Sequence, residues 1–352
     1  MKLKTPMCIP LAITLILLSL IYEMYLPAKL LDLEGNIQNF ILETKKIEIP
    51  GHPDAFNPCI MRWQESLLMS FRIRDPENGS TNQFGLVWLD DNFNPSSPVQ
   101  RIIPLNTFST TPSKAQDPRM IHINDRIYVI YSDLIDGIQD KIRRVFVAEL
   151  QFDGLSFSLN NIECFLDFDG DIQNPQEKNW VPFDYNKNLF LAYSINPHRI
   201  FKARLGSNSC DLIANSSGKI RWDWGILRGG TPALKVDDKY LAFFHSCKDM
   251  VTTQSRGKRI VHYFMGAYTF ATDPPFNIKQ ISPKPIIGKN FYNGPEHQTW
   301  KPLRVVFPCG FVFDNHYIWV SYGRQDHEMW VVKLDKKGLL DSLVYVSDDL
   351  SQ

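Results

Sequence analysis

The chain has 352 residues, in which 38 Lys and Arg balance 38 Asp and Glu, with 44% hydrophobic and 12% aromatic residues. Length allows one large domain or two ordinary ones, and 22% charged residues with evenly spread Pro and Gly exclude a disordered or collagen-like chain. Zero net charge lacks the basic excess that neutralises a phosphate backbone, which argues against nucleic acid as the main partner.

The first element in chain order is apolar. Lys2 and Lys4 precede a run from Met7 to Tyr22, interrupted by Pro10, Thr14 and Ser19 and ended by Glu23. At helical rise such a run covers about 24 Å, short of a ~30 Å hydrocarbon core, and suits a signal-peptide core or a short signal anchor. Glu23, Met24, Tyr25, Leu26 and Pro27 offer no small-residue cleavage site, so residues 1–29 are expected to remain as an anchor, with a cleaved, secreted form as the alternative. Lysines ahead of the run place the N-terminus in the cytoplasm and the remainder outside or in a lumen, a single-pass type II arrangement. Residues 30–49 read as a linker and residues 50–352 as one folded domain.

Cys8 lies in the apolar run, and Cys59, Cys164, Cys210, Cys247 and Cys309 follow no zinc-binding spacing, so no metal is expected. Those five cannot all pair within the chain. Asn78-Gly79-Ser80 and Asn215-Ser216-Ser217 are weak glycosylation sequons.

From residue 58 onward a unit recurs five times. Pro58, Pro118, Pro182, Pro232 and Pro308 each open an apolar run, followed by a polar turn and a second run that ends at an aromatic beside a small or polar residue. PRMIHINDRIYVIYS and PALKVDDKYLAFFHS are two of them. The intervals are 60, 64, 50 and 76 residues, near the length of a four-stranded propeller blade with its loops. Turn pairs such as Asn124-Asp125 and Asp237-Asp238 tie hairpins, and FGLVWLDD, RRVFVAELQF, HYFMGAYTF and MWVVKLD read as further strands. Long amphipathic helices are missing from the pattern. The sequence therefore predicts an all-β, five-bladed β-propeller, with a two-sheet sandwich as the alternative.

In a propeller the inner strands start at the axis, so residues near the five prolines should meet on one face. These are Asn57, Asp117 with Arg119, Lys178-Asn179-Trp180, Gly229-Gly230-Thr231 and Phe307-Pro308. Arg72, Ser132, Ser194, His245 and Tyr322 end the second strands. One carboxylate among Arg, Lys and His side chains makes a polar pocket for a sugar or an anion.

Several of these segments resemble glycoside hydrolase family 130, five-bladed propellers that act on β-mannosides, mostly as phosphorylases. QDPRMIHINDRIYVIYS is similar to the family's Glu-Asp-Pro-Arg segment, GGTPALKVDDKYLAFFHS to its Gly-Pro-Pro strand ending in Tyr-His, and RVVFPCGFVFDNHYIWVSYGRQD to its Val-Phe-Pro-Cys-Gly block with a later Tyr-Gly and Asp. The last block is the most specific, and the likeness covers most of residues 55–335. The resemblance implies a catalytic propeller whose proton donor is Asp117, with the proton passing through a sugar hydroxyl and phosphate replacing the usual second carboxylate. It further implies Arg72, Arg119, Lys178, His245 and Tyr322 as a sugar and phosphate pocket, Asp326 as acceptor for a sugar hydroxyl, and no cofactor beyond inorganic phosphate or a sugar phosphate as co-substrate. The expected partner is an oligosaccharide or glycan.

Two departures weaken phosphorolysis. Gln116 stands where the family has Glu, and Tyr193-Ser194-Ile195 where the phosphorylases carry His-Arg, with Arg199 a nearby substitute. Related propellers of glycosyltransferase family 108 run the geometry toward β-mannoside synthesis, which suits an anchored lumenal enzyme. A phosphorylase, a transferase, a hydrolase and a non-catalytic sugar-binding propeller therefore all stay open. Asp167-Phe168-Asp169-Gly170-Asp171 is expected to be a polar loop rather than a metal site, and Trp222, Trp224, Phe291 and Tyr292 are expected mainly in the core.

Overall fold

The structure, a computed structural model, describes residues 30–74, 82–137, 141–169, 174–299 and 301–348. The apolar N-terminal run, the Asn78 sequon, Gly170 and Asp171 lie outside the described residues. Among the described residues, no helix is long and apolar enough to cross a membrane, and helix is confined to Lys336–Ser342.

The fold is all-β and propeller-like. Four sheets are four-stranded antiparallel meanders. The first runs Phe56–Trp63, Ser66–Arg74, Asn82–Leu89, Gln100–Ile102, and the second Gln116–Ile123, Arg126–Asp136, Lys141–Phe152, Phe157–Cys164. The third runs Val181–Tyr185, Asn188–Ser194, His198–Arg204, Ser209–Ser216, and the last Val306–Asp314, Tyr317–Arg324, Glu328–Asp335 with Ile41–Ile47 outermost. Between the third and last meanders lies a seven-stranded sheet built on the hairpin Lys239–Val251 and Arg259–Ala271.

The tight turns explain the meander. Gln64-Glu65, Asn124-Asp125 and Asn186-Lys187 all hold both residues at positive φ, between 47° and 65°. That backbone matches the right-handed twist of paired strands and is cheapest for Asn and Asp. Buried apolar side chains then fill the space between neighbouring sheets. Leu68, Val129, Phe146 and Cys309 share one such cluster, and Phe183, Ala242, Tyr268 and Phe276 another.

Two expectations need correction. Residues 30–49 are not a linker: Ile41–Ile47 pairs antiparallel with Glu328–Asp335 and supplies the outer strand of the last sheet, so the two ends of the fold are hydrogen-bonded together. The unit opened by Pro232 is also not a regular four-stranded sheet. Its inner strand is split into Arg228–Gly229 and Leu234–Val236, and Thr231 bridges the gap by accepting the Phe243 N–H on its hydroxyl.

Hydroxyls stitch successive sheets at equivalent places. Ser321 Oγ donates to the Pro58 carbonyl, and Ser70 Oγ to that of Pro118. These bonds fix the height at which the inner strands of the first two sheets begin, and hence where Asn57 and Asp117 project.

Candidate active site

Asn57, Asp117 and Asn179 hold the same place in three successive sheets, at the start of the inner strand, and all are left-handed, with φ of 52°, 56° and 64°. The first two coincide with register shifts, between Phe56 and Cys59 and between Gln116 and Arg119. A bulge with a left-handed residue re-aims the side chain out of the sheet's normal alternation. Asp117 is thereby turned toward the neighbouring sheet, where its Oδ1 accepts from Asn57 Nδ2 at 2.8 Å and Arg72 Nη1 at 3.1 Å.

These residues open into a cleft of about 320 Å³. Arg72, Arg74, Lys178 and Arg228 bring four cations to its wall, Asp117 and Asp326 two carboxylates, and Phe56, Tyr263 and Phe307 aromatic surface; Gln116, Asn179 and His245 complete the polar lining. The Phe56 ring carries both arginines, with guanidinium carbons 4.4 Å and 4.9 Å from its centroid, which holds the two forks side by side.

The charges divide unequally. Burial pushes the Asp117 carboxyl up, but Arg72, Arg119, the Asn57 hydrogen bond and Lys178 outweigh it and hold the group below the usual aspartate range. Asp326 is raised, first by burial and then by Asp117, against the opposing pull of Arg72 and Arg74. His245 is neutral: burial, then Arg119, Arg228 and Lys178, push it down to about 3. Its Nδ1 lies 2.9 Å from the Gly229 carbonyl, which makes Nδ1–H the donor and leaves Nε2 as an acceptor. Burial also lowers Lys178, partly offset by Asp117.

The structure thus brings together Asp117, Arg72, Lys178, His245 and Asp326, as the sequence pattern expects. It separates two others. Tyr322 is fully buried, 4.6 Å ring to ring from Phe291, and does not line the cleft. The reason is parity: Tyr322 and Arg324 share one face of their strand while Gly323 faces Asn57. Arg119 is 2% exposed and sits under the floor, donating to the Gly230 carbonyl and, at 3.0 Å, to Asn179 Oδ1. It supports Asp117 electrostatically and positions Asn179 rather than meeting a ligand.

Arg199 does not reach the cleft. It stacks on Tyr193 and donates to the Asp169 carbonyl. Glu177 is buried, accepting from Trp180, Tyr193 and Asn174, which leaves Lys178 to the cleft. Trp222 and Trp224 pack edge-on against Phe244 and Phe264, and Phe291 and Tyr292 are in the core. Asn215 is exposed, the five cysteines from Cys59 onward are free thiols, and no group able to hold a metal occurs among the described residues.

Arg228, Arg74, Tyr263 and Phe56 were not singled out from the sequence. Arg228 immediately precedes Gly229-Gly230 just as Lys178 precedes Asn179-Trp180, and Arg74 lies two residues after Arg72 on one strand face, so both had a readable signal. Tyr263 had none, because its place follows from pairing opposite Cys247 in a hairpin whose strands are thirteen residues each.

A larger cleft of about 910 Å³ lies between the Asp237–Lys239 turn and the helix Lys336–Ser342. Among the described residues it carries the exposed pair Lys337 and Asp341 but no buried carboxylate amid converging cations, and chemistry rather than size marks the smaller one. The floor of the smaller one has no slack. A Cβ on Gly323 would lie 1.9 Å from Asn57 Oδ1. Gly323→Ala is expected to displace Asn57 from Asp117 and cost about 1–3 kcal/mol of stability, the usual penalty of overpacking, with ligand binding weakened alongside. Urea denaturation checks the first effect, and an unchanged midpoint would show that the floor yields.

No family model matches the chain. A β-mannosyltransferase of Komagataella phaffii is 31% identical over 130 residues, a match spanning 35% of this chain and 19% of that protein. Among solved structures, a member of the glycoside hydrolase family 130 of mannoside phosphorylases, described with hydrolases that target β-1,2 mannosidic linkages in Candida mannan, superposes with a TM-score of 0.57 at 13% identity, covering 88% of this chain and 93% of that one. A mannose phosphorylase from Leishmania mexicana, in complex with a phosphate ion, gives 0.58 at 12% identity, covering 88% and 92%. The fold of this chain is the fold of the glycoside hydrolase family 130 mannoside phosphorylases and their hydrolase relatives.

Proposed function

We propose that the chain is a five-bladed propeller enzyme, its seven-stranded sheet counting as the fourth blade, that transfers a β-linked mannosyl unit between a sugar hydroxyl and a phosphate group with inversion. Residues 1–29 anchor it in a type II arrangement. The observation that carries the reading is the buried Asp117 carboxylate in a cleft walled by Arg72, Arg74, Lys178 and Arg228. Four cations facing two carboxylates leave an excess suited to one phosphate, and Arg228 supplies the arginine that the third sheet lacks.

In the synthetic direction an acceptor hydroxyl attacks the anomeric carbon of a mannosyl phosphate. Its proton goes to Asp117, directly or through a sugar hydroxyl, while the C–O bond to phosphate breaks and the departing charge rests on the cations. Asp117, held ionised at neutral pH, is set to accept that proton. In reverse, the protonated group becomes the acid for phosphorolysis. Neutral His245 and the raised Asp326 suit hydrogen bonds to sugar hydroxyls.

The second reading, a propeller that binds sugar without turnover, is favoured by Gln116 where the family has Glu. Purified protein incubated with β-mannosides with and without inorganic phosphate, and with mannose 1-phosphate or GDP-mannose plus acceptor, separates the two. Turnover that requires the phosphate-bearing partner is expected. Retained sugar binding with no turnover in any mixture would overturn the enzyme.

A further inference from the structure

The strands Lys239–Val251 and Arg259–Ala271 are thirteen residues each, longer than any other pair in the fold. His245, at the cleft, pairs with Arg228 of the inner strand. The hairpin continues six residues beyond it to Val251, about 20 Å at ~3.3 Å per residue. Its tip therefore rises above the face on which the cleft opens.

The N-terminal stem is fastened to that tip. Leu31 bridges to Thr252, the Thr253 N–H donates to the Leu31 carbonyl at 2.9 Å, and Leu33 N–H donates to Gln254 Oε1 at 3.1 Å. Glu34 accepts the N–H groups of Asn290, Tyr292 and Asn293, so the stem is also locked to the loop after the hairpin. The chain enters the described fold at Leu30, at this tip. From Tyr22, where the apolar run ends, to Leu30 is eight steps, a reach of at most about 28 Å.

The tip has the composition of a surface that lies on a bilayer. Leu30 and Leu31 are 40% and 47% exposed, Arg256 is 77% exposed, and Lys258 and Arg259 are exposed beside them. Of the nearby acids, Glu296 accepts from Arg304 and lies 3.6 Å from Arg256, Asp32 accepts from Gln254, and Asp249 is exposed, so Lys258 and Arg259 carry most of the tip's free positive charge. Leu303 lines both the catalytic cleft and the adjoining groove that carries Arg256 and Lys258, which places the two side by side.

We propose that this hairpin tip, with Leu30, Leu31, Arg256, Lys258 and Arg259, rests on the phosphate-bearing headgroups of the membrane holding residues 1–29, so that the cleft opens toward the bilayer. The proposal rests on the anchor reading given above. Apolar side chains flanked by Lys and Arg suit the boundary between headgroup phosphates and acyl chains, and a short tether keeps them beside it. Glycans attached at the membrane would then meet the cleft from their own side.

The test uses the full chain in phosphatidylcholine–phosphatidylserine vesicles that contain headgroup spin-labelled lipid. A fluorophore is placed at Arg256→Cys or at Leu155→Cys on a Cys8→Ser, Cys247→Ser background. Leu155 lies in the turn after Lys141–Phe152, at the opposite face, and is 91% exposed. Quenching at position 256 is expected to exceed that at 155 by about threefold or more. Equal quenching, or more at 155, with the chain retained by vesicles in alkaline carbonate, would overturn the orientation and leave the anchor standing. Release by carbonate would overturn the anchor and the orientation together. Neither readout depends on turnover.

Discussion

Asp117→Asn is expected to lower kcat by about 10²–10⁴-fold, the contribution of a positioned proton-transfer group, while substrate still binds. The substitution is nearly isosteric, and an amide oxygen can still accept from Asn57 and Arg72. What disappears is the basicity on which the proposed proton transfer relies and the negative charge that Arg72, Arg119 and Lys178 face. Stability should fall as well, by about 1.5–3 kcal/mol for a lost hydrogen bond to a charged group. The sign follows from the lowered pKa: stability from Asp117 is present above the unfolded aspartate value and lost as pH falls through the lower folded one. Wild type and variant should therefore differ at neutral pH and converge in acid. Steady-state kinetics with phosphate-bearing donor, read beside circular dichroism and urea denaturation, separate chemistry from folding. If kcat moves no more than the folded fraction does, Asp117 holds the cleft together and does not move protons.

How much of this was legible in advance depends on the range of the interaction. The start of an inner strand could be read, because the turn chemistry there is local; Asn57 and Asp117, each directly before a recurring proline, and Asn179, three residues before Pro182, share it down to the sign of φ. Tyr322 and Arg119 illustrate the limit. Whether a strand residue faces the cleft or the neighbouring sheet hangs on one step of alternation, and a bulge such as that between Pro308 and Gly310 resets the step without leaving a mark in composition. Arg119 follows Asp117 by two positions, yet the register shift between Gln116 and Arg119 sends it beneath the floor. The protonation state of His245 was out of reach for another reason: it is set by burial and by Arg119, Arg228 and Lys178 from other strands. The expected ring of basic groups around one acid is in fact four cations and a neutral imidazole around two acids of opposite shift. The strand Ile41–Ile47 was hidden because its partner lies nearly three hundred residues away in sequence, and a lone strand with charged residues reads as a linker until that partner is known.

The second large effect concerns that closing sheet. Arg324 and Glu328 are 1% and 5% exposed and bonded to each other, four residues apart across a tight turn. Glu328 also accepts from Trp330 Nε1 at 2.9 Å and lies 3.1 Å from His297 Nε2, while Arg324 Nη2 donates to the Asn293 carbonyl at 2.9 Å. Between the two residues sits the turn Gln325-Asp326-His327, with Gln325 and Asp326 left-handed at φ 56° and 52°. The pair therefore clamps the backbone that presents Asp326 to the cleft. Removing one partner leaves the other buried and uncompensated, so Glu328→Gln should cost about 3–5 kcal/mol at neutral pH. The double variant Arg324→Met, Glu328→Leu should recover much of this, because replacing both charges with apolar groups removes the desolvation cost as well as the attraction. Burial raises the Glu328 carboxyl, but Trp330, Arg324 and His297 outweigh it and hold it below the usual glutamate range. Its contribution is thus present above the unfolded value, about 4.3, and is lost as pH falls through the folded one. Urea denaturation at neutral and acidic pH should show the gap between wild type and Glu328→Gln close in acid. A gap that stays constant with pH would assign the loss to packing around Trp330 rather than to the charge, and would release Asp326 from dependence on this pair.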